Sequence, residues 1–345
     1  MRVSELAYSS RVPEAEQAGV ADRSLRLRAG ALSLGAAMLI FAAKFVGYQL
    51  TGSTAILSDA LESIVNIAAA LFTLASLAFA SRPADESHPY GHGKIEFLSS
   101  GFEGGLIAFA ASLIVYEAAQ ALWRGHQVMA IDVGLLIVLG AGIANALLGY
   151  FLLRTGRRLH SPAIVADGQH VLSDFWTSAG VIVGLALVRV TGWQPLDPLV
   201  AIAVGVNLAI VGLRLLRRAV GGLLDESDPG LLATLASVIQ AVRTPAVIAV
   251  HRLRAIRSGG VVHVDAHVVV PRFWSVSQAH DFADGFELEI VRRVDHETEC
   301  LFHLDPCRSA YCHSCRVDPC PVRAHAFAAD RGWSLETLIR EAPEE

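Results

Sequence analysis

The chain has 345 residues, of which 53% are hydrophobic and 18% charged. Soluble domains carry about 25% charged residues, so the shortfall excludes a wholly water-exposed globule and implies contact with lipid. With 33 acidic against 28 basic side chains the net charge is −5, which leaves no concentrated basic face to neutralise phosphates and excludes a nucleic-acid partner.

In chain order, residues 1–25 are polar and lack the apolar core and small-residue cleavage site of a signal peptide, so they read as a cytosolic tail. Six apolar stretches follow, near 29–50, 54–81, 96–122, 129–153, 163–189 and 195–216. A bilayer crossing takes roughly 20 helical residues. The fold class expected for residues 26–220 is therefore membrane all-α, a six-transmembrane-helix bundle. With the N-terminus inside, the inner segments hold Arg11, Arg23, Arg26 and Arg28, then Arg82 and Lys94, then Arg154, Arg157 and Arg158, then Arg214, Arg217 and Arg218. The outer segments hold only Arg124 and Arg189, and this bias places both termini in the cytosol. Residues 221–306 change character. Helical spacing at 229–243 and 275–294 and strand patterns at 247–256, 260–270 and 298–304 predict a small α+β domain. On the second strand His263, Asp265 and His267 share a face by the period of two. Residues 307–345 form a Cys/His-containing extension whose last 20 or so residues are charged and expected at the periphery.

An ionisable group near the bilayer centre costs roughly 2.5–3.5 kcal/mol, so each one inside a span needs a reason. The second span carries Asp59, Glu62 and Asn66; the fifth carries Asp167, His170 and Asp174. Glu62 and Asn66 are four apart, as are His170 and Asp174, so each pair shares a helix face. Two such pairs can put four donors around one divalent ion. A proton relay, or hydrogen bonds that merely join helices, would use the same residues. Lys44, Glu103 and Glu117 read as snorkelling or bundle-facing charges.

After the second span, Asp85, His88 and His92 fall within eight residues and can chelate locally, unless the loop is simply solvated. In the tail, strand-borne His267 and His303 and helix-borne His280 can converge beside Asp305, while His263 and His296 read as surface residues. Five cysteines follow the pattern C-x6-C-x4-C-x2-C-x4-C from Cys300 to Cys320. In a reducing cytosol they are thiols. Cys307, Cys312, Cys315 and Cys320 make either an extra zinc site or a free-thiol surface loop.

In this order the features resemble the cation diffusion facilitator family of metal cation/proton antiporters, from about residue 25 to 306. The H-x-x-x-D pair His170 and Asp174, the loop PADESHPYGHGK and the segment HLDPC at 303–307 carry the likeness. The resemblance implies a six-helix membrane domain, a cytosolic ferredoxin-like (metallochaperone-like) C-terminal domain, a homodimer, and a secondary active transporter rather than an enzyme. It implies a transport site of Glu62, Asn66, His170 and Asp174, although the family usually has Asp or His followed by Asp on the second helix. It further implies a loop metal site of Asp85, His88 and His92, and a binuclear cytosolic site of His251, His267, His280, His303 and Asp305 at the dimer interface. Lys94 and Asp225 match charges that stabilise the dimer near the membrane surface, and the cysteine cluster lies beyond the family's common core.

The expectation is efflux of a divalent ion across the cytoplasmic (inner) membrane in exchange for protons. Zn2+ is favoured by the histidine-rich accessory sites. Fe2+ and Mn2+ follow, because oxygen supplies three of the four intramembrane donors. The alternative is a membrane-anchored metal sensor or scaffold, for which His170 and Asp174 are dispensable. A transporter of organic cations leaves the cytosolic histidines unexplained.

Overall fold

The computed structural model describes residues 12–51, 54–124, 134–294, 296–330 and 332–341. They divide into two compact units, residues 1–224 and 225–345.

Among its described residues the first unit contains six long helices: α1 Val12–Thr51, α2 Thr54–Ala80, α3 Ile95–Arg124, α4 Gly134–Arg158, α5 Pro162–Thr191 and α6 Leu196–Leu223. Five stretches within them are long and apolar enough to cross a membrane: Asp22–Leu50, Ala60–Ala80, Ile95–Arg124, Pro162–Thr191 and Leu196–Leu223. The expected fourth span, 129–153, begins outside the described residues, and its remainder falls on α4. The 25 residues of α4 reach about 37 Å at 1.5 Å each, more than the roughly 30 Å hydrocarbon thickness. The helix α1 starts earlier than its span requires, because helix-forming residues follow Pro13 in the polar segment. Leu39, Leu50, Phe109, Leu147 and Val190 all point outward from the bundle. Such an apolar coat suits lipid and not water.

Local chemistry sets the helix ends. Ser161 caps α5 by accepting from the Ile164 N–H, Pro162 occupies the first turn, and Gly192 closes the helix at φ +72°. Small residues set the helix spacing. A Cβ on Gly104 of α3 would lie 2.9 Å from the Gly212 carbonyl of α6, and one on Gly212 would lie 2.7 Å from the Gly104 carbonyl. Backbone therefore packs on backbone there, as small residues allow in membranes.

One buried ionic lock ties three parts of this unit together. Arg26 of α1 donates to Glu96 of α3 at 3.0 Å and to the Leu159 carbonyl at 2.7 Å, and the Ser161 hydroxyl also donates to Glu96. Glu96 is fully buried.

In the second unit α7 Pro229–Ala241 is followed by β1 Ala249–Ser258, β2 Val261–Val270, α8 Val276–Val291, β3 Glu297–Pro306, a short 3-10 turn and α9 Leu335–Ile339. The sheet order is β1-β2-β3, with β1 antiparallel and β3 parallel to β2. Parallel neighbours need a crossover, and α8 supplies it. Val262, Val264, Ala266 and Val268 face a core containing Leu235, Ile239, Phe286 and Ile290, so His263, Asp265 and His267 share the opposite face. The first strand needs a correction to simple alternation. Its register shifts between His251 and Arg254, and Arg252 sits at φ +54°. This bulge lets Val250, Leu253 and Ala255 all reach the core while His251 stays on the other face.

The C-terminal segment is not peripheral. Leu338 is fully buried in the core beside Trp333 and Leu335. The Arg252 N–H donates to the Arg340 carbonyl at 2.9 Å, and the Arg243 guanidinium lies 4.2 Å from the Trp333 ring centre. Three apolar side chains within six residues outweigh the charges around them.

Glu96→Ala strands the Arg26 guanidinium, a loss that typically costs about 3–5 kcal/mol. The variant should melt well below the wild type in detergent, by circular dichroism and by size-exclusion recovery. An unchanged melting temperature would show that the lock contributes nothing.

Candidate metal centres

Inside the bundle, Asn66 of α2 meets His170 and Asp174 of α5. The Asn66 Nδ2 donates to Asp174 Oδ2 at 2.6 Å, since a carboxylate only accepts, and this turns Asn66 Oδ1 toward His170 Nε2 at 3.1 Å. The other ring nitrogen of His170, Nδ1, lies 3.5 Å from Glu103 Oε2 of α3. Both residues are buried. The second Glu103 oxygen accepts from Thr73 at 3.1 Å, and the Thr73 hydroxyl lies 3.2 Å from that of Ser99. Glu62 lines an adjoining cavity with Lys44, Asn66, Asn145 and Asp174. The structure thus places all four expected residues around one region, three in a hydrogen-bonded row and Glu62 across a small cavity.

Two carboxylates that the sequence places in the spans but not in the expected site also lie here. Glu103 is treated as a generic bundle-facing charge, yet it points at His170. Asp167, just before His170 on α5, is buried and lines a second cavity with Asn66, His170 and Asp174. The only signal in the sequence was the cost of burying a carboxylate among apolar residues.

In the loop after α2, Asp85 Oδ1 accepts from the Ser87 N–H and hydroxyl, both at 2.9 Å, and from the His88 N–H at 2.7 Å. The Ser87 hydroxyl, then the His88 N–H, pulls its carboxyl down to about 2, so it stays ionised at any physiological pH. His88 Nδ1 lies 3.2 Å and His92 Nε2 3.3 Å from Asp85. Gly91 at φ +77° lets the chain turn between the two histidines.

In the second unit the strand register builds the cluster. His251 stands opposite His267 across β1 and β2, and His267 opposite His303 across β2 and β3. Their ring centres are 5.0 and 4.7 Å apart. Asp305 reaches all three, at 3.4 Å from His251, 2.9 Å from His267 and 3.3 Å from His303. Burial pushes the His251 imidazole below its ordinary pKa, against the opposing charge of Asp305, which favours the neutral ligand form. His280 lies apart on α8, exposed beside Asp284 at 3.7 Å, and one chain does not bring it to the cluster. His263 pairs with Glu299, and His296 contacts Arg257.

Among the described residues, Asp85–His88–His92 and His251–His267–Asp305 each bring three donor atoms within 4.8 Å of one another. Imidazole plus carboxylate is a donor set that suits zinc and other divalent transition metals. In His92 and His251 it is Nε2 that faces the cluster carboxylate, while the buried Nδ1 of each ring has no hydrogen-bond partner among the described residues. The residues therefore fit a metal ion. Lys94 lies just before α3 and Asp225 just after α6.

The four cysteines 307, 312, 315 and 320 line one further cavity. Cys300 stands apart on β3, where burial, then the charge of Glu287, pushes its thiol from 9.0 up to about 12. That lowers its thiolate fraction near pH 8 about a thousandfold. Iodoacetamide should accordingly modify Cys300 far more slowly in the folded chain than in urea, read by peptide mass spectrometry. Equal rates in the two states would contradict its burial.

Comparison with known proteins bears on the whole arrangement. Residues 31–224 match the family described as the cation efflux transmembrane domain, and residues 229–307 match the cation efflux protein, cytoplasmic domain. The chain is 39% identical over 276 residues to the uncharacterized transporter sll1263 of Synechocystis sp., covering 80% of this chain and 88% of that one. It is 31% identical over 274 residues to the cation-efflux pump FieF of Pectobacterium carotovorum, covering 78% and 89%. It is 30% identical over 261 residues to the magnetosome protein MamB of Magnetospira sp., covering 76% and 88%. The transmembrane match alone takes in more than half of the chain. This is a multi-pass membrane transporter, and it belongs to the cation efflux, or cation diffusion facilitator, family.

Proposed function

We propose that the protein exports a divalent transition-metal ion, zinc before iron(II) or manganese(II), from the cytosol in exchange for protons. The ion is held in the membrane by Glu62, Asn66, His170 and Asp174. The observation that carries this reading is the meeting of Asn66, His170 and Asp174: Asn66 Nδ2 donates to Asp174 at 2.6 Å, and its Oδ1, which only accepts, lies 3.1 Å from His170 Nε2, so that nitrogen carries a proton. An ion that takes Nε2 must displace that proton. His170 Nδ1 lies 3.5 Å from Glu103 Oε2, close enough for Glu103 to become the carboxylate support usual behind a ligating histidine. Glu62 and Asp174 offset the charge of the ion, and Glu103 supplies behind the histidine the carboxylate that Asn66 does not. On the outer side, a higher proton concentration reverses the exchange at His170 and releases the ion.

The remaining clusters fit around that cycle. Asp85, His88 and His92 lie in the loop on the side that the arginine bias makes cytosolic, where they can take up the ion. His251, His267, His303 and Asp305 would hold a resident zinc ion in the cytosolic unit. Bound there, it would cross-link three strands. In a homodimer the partner chain would supply His280, and Lys94 and Asp225 would brace the two protomers. Both termini then lie in the cytosol, beneath the cytoplasmic membrane.

The test is flux in proteoliposomes with zinc, iron(II) and manganese(II), with and without a pH gradient. Zinc should move fastest and respond to an acidic trans side. Asp174→Ala should abolish flux. Glu103→Gln should slow it about 10–100-fold, the usual loss when a carboxylate supporting a ligand is removed, and should flatten its pH dependence. Full transport by Asp174→Ala would refute the site. Metal binding without any flux would make the protein a membrane-anchored sensor.

A further inference from the structure

The segment after residue 307 lies outside the matched cytoplasmic domain, and the transport reading makes no use of it. Residues 312–330 contain no helix or strand. Long structureless loops in a compact unit are uncommon and usually carry a function. This one is ordered by polar contacts. The Cys307 N–H donates to the Val270 carbonyl at 2.9 Å, which carries the β3 pairing one residue past the strand. The Arg323 guanidinium donates to the carbonyls of Cys312 at 3.2 Å, Cys315 at 3.3 Å and Val317 at 2.6 Å. The rings of His313 and His325 stack at 4.8 Å. Tyr311 and Cys315 are buried against Ile248 and Val269, on the same sheet face as the histidine row.

Four of the five cysteines open onto one cavity in this segment. Cys312 and Cys315 form a C-x2-C turn, with the Cys315 N–H directed at the Cys312 carbonyl. The Arg272 N–H donates to Cys307 Sγ at 3.5 Å, which orients that sulfur. None of the cysteines forms a disulfide. The second observation is electrostatic and independent of the spacing. Arg272, Arg308 and Arg323 line the same cavity, and among the described residues no carboxylate does. Arg323 is engaged by backbone carbonyls, and Arg272 and Arg308 also line the adjoining cavity with Asp305, so the positive charge on this side is offset in part. Four thiolates around one divalent ion carry a net charge of −2, which lowers the +3 of the three guanidinium groups to +1.

We infer that Cys307, Cys312, Cys315 and Cys320 form a tetrathiolate site for one thiophilic divalent ion of the zinc class. Four sulfur donors with no open position make a structural centre. Among the described residues no three of these sulfurs come within 4.8 Å of one another; zinc–sulfur bonds of about 2.3 Å put tetrahedral sulfurs roughly 3.8 Å apart, so binding requires the thiols to move inward. Cys307 lies two residues after Asp305, and the cavity beside the histidine row shares Arg272, Cys307 and Tyr311 with the cysteine cavity. Loading the thiolates therefore fixes the strand end that carries the carboxylate of the histidine cluster.

The test uses the full-length protein in detergent, loaded with cobalt(II) as a spectroscopic stand-in. The wild type should show sulfur-to-cobalt charge-transfer bands and tetrahedral d–d bands. Both should persist in Cys300→Ser and in the double variant His267→Ala, Asp305→Ala. Cys312→Ser with Cys315→Ser should lose the charge-transfer bands together with one equivalent of bound metal. Absence of thiolate bands in the wild type would overturn the inference, whether or not the variants fold. Iron–sulfur absorption in the protein as purified would overturn the zinc class. A mass two units low, marking a disulfide among the four, would overturn the site.

Discussion

The 2.6 Å hydrogen bond from Asn66 to Asp174 joins α2 to α5 inside an otherwise apolar bundle, and most of the membrane unit is arranged to make that contact tolerable. A polar group enclosed by hydrocarbon side chains costs several kcal/mol unless it is paired. Pairing therefore propagates: Asn66 engages His170, His170 faces Glu103, and Glu103 is held by Thr73. The row crosses three helices, so moving any one of them disturbs the others. Such a row is both rigid and sensitive to protonation, because one added or removed proton changes which contacts are satisfied. That is the physical property the proposed exchange of metal for protons calls for.

The second unit reaches a comparable end by other means. Here strand register, not helix crossing, gathers the candidate donors. Two pairings put three histidines in a line, and Asp305 from the edge strand reaches across them. The bulge at Arg252 matters as much as the histidines. Without the extra residue, the core-facing positions of β1 fall out of phase, because a one-residue slip exchanges the two faces of a strand.

The sequence shows clearly what simple periods encode. Apolar length marks the helices, alternation marks the strands, and the four-residue spacing of His170 and Asp174 marks one face of α5. It hides what depends on contacts between distant elements. Nothing local says that Glu103 rather than Glu117 turns toward His170, since both are carboxylates on one apolar helix. The bulge in β1 is equally silent, because Arg252 looks like any polar residue of an alternating strand. The docking of Leu338 was obscured by the charges around it. His280 shows the converse case, for its residue type suggested a ligand while the fold of one chain leaves it exposed beside Asp284.

The most direct test of the intramembrane site is to count the metal held by the protein after every other candidate ligand set has been removed. The background for this carries substitutions in the loop cluster, the histidine row and the four cysteines. Equilibrium dialysis against zinc should then still find one bound ion per chain, lost on adding His170→Ala, with X-ray absorption showing nitrogen and oxygen donors and no sulfur. Retention of no ion in that background would contradict the assignment of the binding site to α2 and α5.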